Sequence, residues 1–117
     1  GQMCIRDSHL KYMVEQYRLR RDYVMMRISE IPGLSCHAPA GTFYAFIDIS
    51  QLGMPCEEFA MKLLEERQVV VVPGTAFGEF GEGYIRLSYA TSMQCLEQGL
   101  QELEEFVRSH ETEGDPA

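Results

Sequence analysis

The chain has 117 residues, of which 45% are hydrophobic and 24% are charged, a balance that is typical of one globular domain. Ten lysine and arginine residues stand against 18 acidic residues, so the formal net charge at pH 7 is −8. Such an acidic chain is a poor partner for nucleic acid, because basic side chains must neutralise the phosphates. No apolar run approaches the roughly 20 residues that a membrane span needs, and no secretory apolar segment is evident. We therefore expect a soluble cytoplasmic domain without nucleic-acid or membrane partners.

The first half of the chain has the pattern of a helix followed by a strand. Over residues 10–31 apolar side chains recur at spacings of three, four and seven, which predicts an amphipathic helix that Pro32-Gly33 ends. Residues 1–9 lack a clear pattern, and we expect them to be a non-native or unstructured lead. Over residues 43–49 apolar side chains alternate along the chain, which predicts a strand.

The middle of the chain predicts a second helix and a second strand. Residues 59–64 carry apolar side chains on one helical face, and the valine run 69–72 predicts a short strand that Pro73 ends. The glycine-rich residues 78–83 precede a strand and contain two glutamates, which does not suit a phosphate site at a helix N-terminus. We interpret this segment as a mobile turn.

The last part of the chain predicts a strand and a long helix. Residues 84–89 alternate as a strand, and Thr91 with Gln94 has the spacing of a capping box that opens a helix. Residues 111–117 are polar and are expected to form a disordered tail. The order helix, strand, helix, strand, strand, helix predicts an α+β domain over residues 10–110. Its three-stranded, mainly antiparallel sheet carries helices on one face.

The cysteines and histidines do not form a recognisable site. None of them shows the close-spaced pairs that a zinc site usually uses, so we expect no metal and no disulfide. Cys36 and His37 are adjacent, but neighbours on a chain point in different directions, and we interpret both as structural. The full set is Cys4, Cys36, Cys56 and Cys95, with His9, His37 and His110.

Arg86 is the one charged residue whose position raises a functional question. It lies mid-strand between Ile85 and Leu87, on the face opposite the apolar one. The pattern alone favours a solvated strand arginine. The functional alternative is a guanidinium held on a rigid element, where it can bind a carboxylate through two hydrogen bonds.

Three blocks of sequence resemble the small C-terminal domain of class I pyridoxal-phosphate-dependent aminotransferases, in particular the aspartate aminotransferase-like subgroup. Their order and spacing match, and the resemblance covers about residues 10–110. The blocks are AGTFYAFID at residues 40–48, VVPGTAFG at 71–78 and YIRLSYATS at 84–92.

The resemblance implies roles for several residues. Arg86 would bind the substrate α-carboxylate, while Gly41, Thr42 and Phe77 are secondary substrate-binding candidates. We expect Phe43 and Tyr44 to serve sheet packing. The resemblance implies an enzyme that transfers an amino group between an amino acid and a 2-oxo acid as a homodimer.

The family's pyridoxal phosphate is held mainly by a large domain, whose lysine forms a Schiff base with it. The lysines of this chain, Lys11 and Lys62, fall outside every matching block. We therefore expect no catalytic, cofactor-binding or metal residue here, and a truncated piece that is inactive alone.

Two other functions are compatible with parts of this pattern. A carbon–sulfur lyase on the same fold would keep the same arginine and the same cofactor. A stand-alone ligand-binding or dimerisation module would belong to a different class of protein. Such modules commonly have four strands in a βαββαβ order, whereas three strands and an initial helix are predicted here.

Overall fold

Three helices pack on one face of a small antiparallel sheet in the computed structural model, which describes residues 2–113 and the side chains of residues 8–110. This confirms the α+β class and the packing of the helices on one face. Short 3₁₀ turns connect several of the elements. The helices are α1 (Gln2–Ser29), α2 (Cys56–Arg67) and α3 (Met93–Glu113), and the strands are β1 (Ser35–His37), β2 (Tyr44–Asp48), β3 (Val72–Pro73) and β4 (Tyr84–Ser88).

The sheet has the order β1-β2-β4-β3, with every neighbouring pair antiparallel. Side chains alternate between its faces, so Ala45 and Ile47 of β2 and Ile85 and Leu87 of β4 are buried beneath the helices. Tyr44, Phe46, Asp48, Tyr84, Arg86 and Ser88 occupy the alternate positions, and we call their side of the sheet the polar face.

The sheet has four strands instead of the predicted three, and the element order is α-β-β-α-β-β-α. The missed strand, β1, is three residues long and too short to show a period. The predicted valine strand was also displaced, because pairing covers only Val72 and Pro73. Proline lacks an N–H but is tolerated here because β3 is an edge strand. Val70 is 70% exposed and lies outside the sheet.

Helix α1 is longer than predicted, and among its described side chains, those of residues 8–29, the buried ones lie in the second half of the helix. It begins at Gln2, so residues 2–9 are helical where a non-native or unstructured segment was expected, and a non-native origin of residues 1–9 stays a prediction. Val24 and Ile28 are fully buried, whereas Leu10, Met13 and Val14 of the same apolar stripe are about half exposed.

Helix α3 adds Leu96, Leu100, Leu103, Phe106 and Val107 to the core, beside Phe59 and Leu63 of α2. The predicted capping box was wrong by one residue, because the Ser92 hydroxyl, not Thr91, accepts a hydrogen bond from the Cys95 N–H at 3.1 Å. The helix extends to Glu113, past the predicted start of the tail, and residues 114–117 of that tail lie outside the described residues. Among the helices in the described part of the chain, none is long and apolar enough to cross a membrane.

Candidate functional site

Arg86 lies at the centre of the polar face. Its Cα partners are Phe46 on β2 and Val72 on β3, so a strand supports it on each side. The residue is half-buried. The predicted placement, mid-strand and opposite the apolar face, is therefore confirmed, and the backbone beneath this guanidinium is fixed by pairing on both sides.

Two aromatic rings lie against the Arg86 guanidinium. Its Cζ is 4.1 Å from the centre of the Tyr44 ring and 4.3 Å from the centre of the Phe77 ring. Both distances are well inside the roughly 6 Å range of cation–π contacts. Phe46 packs edge-on against Phe77, with 6.4 Å between the ring centroids. The guanidinium thus sits in an aromatic setting that the fold provides.

Asp48, the acidic residue of the polar face, already accepts hydrogen bonds from another residue. Asp48 lies two residues from Phe46, but its carboxylate accepts hydrogen bonds from the Ser50 N–H at 2.9 Å and the Ser50 hydroxyl at 2.6 Å. These bonds from Ser50 lower the pKa of Asp48. Among residues 8–110, no carboxylate lies within ion-pair distance of Arg86. Its charge is therefore not neutralised by the described part of the chain.

Phe77 is brought to Arg86 by a turn with an unusually close backbone contact. A 3₁₀ turn, Gly74–Phe77, follows β3, and a second one, Glu79–Gly81, follows it directly. A β-carbon on Gly74 would overlap the carbonyl oxygen of Gly81, and one on Gly81 would overlap that of Gly74. The predicted mobile turn, residues 78–83, thus contains a 3₁₀ turn whose Gly81 lies in backbone contact with Gly74 of the preceding turn.

Gly41 and Thr42 lie just before β2 and form hydrogen bonds with Tyr17 and Tyr89. The Gly41 N–H donates to the Tyr17 hydroxyl at 3.0 Å, and the Thr42 carbonyl accepts from the Tyr89 hydroxyl at 2.7 Å. The φ of Gly41 is +80°, a conformation that favours glycine. Burial is the main cause of the raised pKa of Tyr89. The structure thus brings Phe77, but not Gly41 or Thr42, into contact with Arg86.

The adjacent aromatic residues Phe43 and Tyr44 make different contacts. Phe43 packs against Tyr17 of α1, with ring centroids 5.2 Å apart, and its expected role in sheet packing stays a prediction. Tyr44 contacts Arg86 and was missed as a candidate. The signal was present in the alternation of β2, because Tyr44 is on the same face as Phe46, the strand partner of Arg86.

Among residues 8–110, neither a thiol nor a lysine side chain forms a hydrogen bond with Arg86. Cys36, Cys56 and Cys95 are free, and burial raises the pKa of the Cys36 thiol to about 11, which suits a structural thiol. No group of three metal-binding side chains occurs among the residues described. Lys11 is exposed on α1, and Lys62 pairs with Glu58 on α2 at 3.1 Å.

Comparison with known proteins gives one consistent family. A family model described as aminotransferase class I and II matches residues 3–103. The Bacillus subtilis protein YugH is 50% identical over 95 residues, and an aspartate aminotransferase of Pyrococcus horikoshii is 46% identical over 95 residues. Each alignment covers 81% of this chain and 24% of the relative.

Solved structures agree with the sequence relatives. An aromatic aminotransferase from Pyrococcus horikoshii superposes with a TM-score of 0.83 at 38% identity, covering 89% of this chain and 28% of that one. An alanine aminotransferase from Pyrococcus furiosus gives 0.82 at 34% identity, with 87% and 26% covered. The chain therefore spans about a quarter of the length of the relatives that it matches.

Proposed function

Because this chain belongs to the class I and II aminotransferase family, we propose that it is the substrate-binding part of a pyridoxal-phosphate-dependent aminotransferase, with Arg86 as the carboxylate-binding group. The enzyme would transfer an amino group between an amino acid and a 2-oxo acid. The proposal includes a cytoplasmic homodimer as the working form. The named substrates of the relatives differ, so the proposal specifies the shared carboxylate and no particular side chain.

One observation carries the proposal. Arg86 is the charged centre of the polar face, and Asp48, the acidic residue of that face, accepts hydrogen bonds from Ser50 instead. A guanidinium without an internal partner keeps its N–H donors for an external anion, and its geometry matches a planar carboxylate. Fixing the carboxylate on a rigid strand would orient the rest of the substrate, which is a positioning contribution to the rate.

The residues of this chain do not fit pyridoxal phosphate as its own cofactor. A Schiff base needs a lysine in the site, but Lys62 forms an ion pair on α2 and Lys11 is exposed on α1. Neither lies on the strands of the polar face. We propose that the cofactor is held by residues outside this chain, and that the chain alone is inactive. Borohydride reduction of the chain with pyridoxal phosphate should give only slow, scattered lysine labelling.

A chimera tests the proposal. The matching segment of the Pyrococcus horikoshii aspartate aminotransferase is replaced by this chain, so that the remainder of that protein supplies the cofactor site. Arg86→Lys in the chimera should lower kcat/KM for the amino acid and for the 2-oxo acid alike. The loss of about 2–5 kcal/mol for a desolvated charged contact corresponds to roughly 30- to 5,000-fold.

Two controls distinguish a loss of carboxylate binding from a general loss of folding or activity. Arg67→Lys is a matched control, because Arg67 pairs with Glu102 and Glu105 on α3 and lies away from the polar face. A primary amine without a carboxylate should be affected far less than an amino acid. If Arg86→Lys turned over amino acids normally, or lost the cofactor, Arg86 would not be the carboxylate-binding group.

The chimera does not distinguish an aminotransferase from a lyase, because another protein supplies its cofactor site. The reaction type therefore has to be measured on the natural full-length protein. Amino transfer that depends on a 2-oxo acid would support the aminotransferase. Release of ammonia and pyruvate from a sulfur amino acid would support the carbon–sulfur lyase instead. The stand-alone module is disfavoured by the element order, which is not βαββαβ although the sheet has four strands.

A further inference from the structure

We propose that Tyr44 and Phe77 are positioning residues that each cover one face of the Arg86 guanidinium, so that only its N–H edge is offered to a carboxylate. This inference rests on the proposed function, since it concerns how the carboxylate-binding group acquires its orientation. It gives Tyr44 a role beyond the expected sheet packing, and it gives Phe77, a candidate from the family resemblance, a defined role.

The distances support a stack of three planar groups. A guanidinium is a plane with two faces and a rim of five N–H donors. Cζ lies over both rings at similar distances, 4.1 Å and 4.3 Å. The rings of Tyr44 and Phe77 make no contact with each other among the ring contacts of residues 8–110. That separation is expected when the guanidinium lies between them.

The three groups come from three different elements. Arg86 is on β4, and its strand partner on β2 is Phe46. Tyr44 lies two residues before Phe46 and is therefore a diagonal neighbour of Arg86, at a separation that long side chains can bridge. Phe77 ends the 3₁₀ turn after β3, and the Phe46 ring supports it edge-on. A planar group held from both sides by separate elements has little freedom to rotate.

Covering both faces restricts what can bind. The five donors point outward in the guanidinium plane, where a carboxylate can accept two of them side by side. A flat ligand cannot stack on a face that a protein ring already covers. A lysine at this position would have neither the plane nor the paired donors, so the rings would not orient it.

Nuclear magnetic resonance of the isotope-labelled chain measures this restriction directly. In the unmodified chain, rotation about the Nε–Cζ bond of Arg86 should be slow, and the ring currents should shift its Nε–H signal. Phe77→Leu and Tyr44→Leu should each speed that rotation and reduce the shift. Tyr44→Phe keeps the ring and should keep both properties.

Phe80 provides the matched control for Phe77. It lies three residues further on, is 90% exposed, and makes no ring contact among the described side chains. Phe80→Leu should leave the Arg86 signals unchanged. Unaltered amide spectra outside the polar face verify that each variant is folded. If Phe77→Leu and Tyr44→Leu rotated as slowly as the unmodified chain, the positioning role would be overturned.

A titration with pyruvate, a small 2-oxo acid, distinguishes the positioning role from the proposed function. The Arg86 N–H signals should shift on binding, with a dissociation constant roughly two- to fivefold higher in Phe77→Leu, the range of an exposed cation–π contact. Slow rotation in the unmodified chain without any response to pyruvate would overturn the carboxylate role and leave the ring arrangement standing. Equal dissociation constants in both proteins would overturn the effect on binding.

Discussion

Gly74 and Gly81 lie with their backbones so close that neither can carry a side chain without displacing the other. An ideal β-carbon on either residue falls against the other's carbonyl group. Gly74 is also buried, and its 3₁₀ turn ends at Phe77, the ring that contacts Arg86. The contact between these glycines therefore links the stability of the fold to the geometry of the candidate site.

Gly74→Ala should destabilise the chain by about 1–3 kcal/mol, the usual cost of forcing extra atoms into a packed site. A lower midpoint in urea, at an unchanged slope, would measure the loss. Gly99→Ala is the matched control, because Gly99 lies within α3 and nothing is within 4 Å of its added β-carbon. That change should stabilise the helix by about 0.5–1 kcal/mol. Equal midpoints for the two variants would contradict the close contact.

The thiols should differ strongly in their rate of alkylation. Because burial raises the pKa of Cys36 to about 11, only about a thousandth of it is thiolate near pH 8. Cys56 is fully buried and its thiol donates a hydrogen bond to Glu82 at 2.7 Å, whereas Cys95 is exposed. In a Cys4→Ser background, iodoacetamide should modify Cys95 first. Comparable labelling of Cys36 by mass spectrometry would contradict the raised pKa of its thiol.

Much of the fold was predictable because the long elements repeat their period several times. The apolar residues of α3 and the alternation of β2 and β4 each put a full set of side chains on one face, and burial follows that face. Short elements carry no such repetition. Strand β1 has three residues and β3 has two, and both depend on pairing with a neighbour that is distant in sequence.

The candidate site was predictable only in part for a related reason. Alternation put Arg86 on the polar face, and resemblance to a family gave its expected role. The contact with Phe77 depends on the backbone approach of Gly74 and Gly81, which no local pattern reveals. The contact of Tyr44 with Arg86 was predictable in principle, because Tyr44 lies two positions from Phe46, the strand partner of Arg86, and is therefore a diagonal neighbour of Arg86.

The exposed apolar side chains of α1 should make the chain associate. Leu10, Met13 and Val14 are about half exposed and line a depression together with Phe43, and contiguous apolar patches of this kind favour association. Sedimentation should show a mass that rises with concentration, and Met13→Glu should reduce that rise. Met61→Glu is the control, because Met61 is 62% exposed but lies on α2. A chain that stays monomeric at high concentration would contradict this prediction.

The ion pair between Arg27 of α1 and Glu104 of α3, together with the pair of Glu104 and Arg108 within α3, should make stability depend on pH. Glu104 accepts a hydrogen bond from Arg108 at 2.8 Å and pairs with Arg27 at 2.9 Å. Both contacts lower the pKa of Glu104, and the bond from Arg108 has the larger effect. A carboxyl whose pKa is lower in the folded state stabilises the fold above its unfolded pKa, and this stabilisation is lost as the pH falls through the folded pKa.

Glu104→Gln should therefore cost about 1–2 kcal/mol at neutral pH, because the side chains of Arg27 and Glu104 are only 14% and 19% exposed. The difference from the unmodified chain should shrink as the pH falls below about 4, where the carboxyl becomes protonated. Glu30→Gln is the control, since Glu30 pairs with the same Arg27 at 3.8 Å and is 53% exposed. That exposed pair should contribute no more than about 0.5 kcal/mol. Urea unfolding of the three proteins across this pH range measures both effects, and a Glu104→Gln difference that does not depend on pH would contradict the assignment.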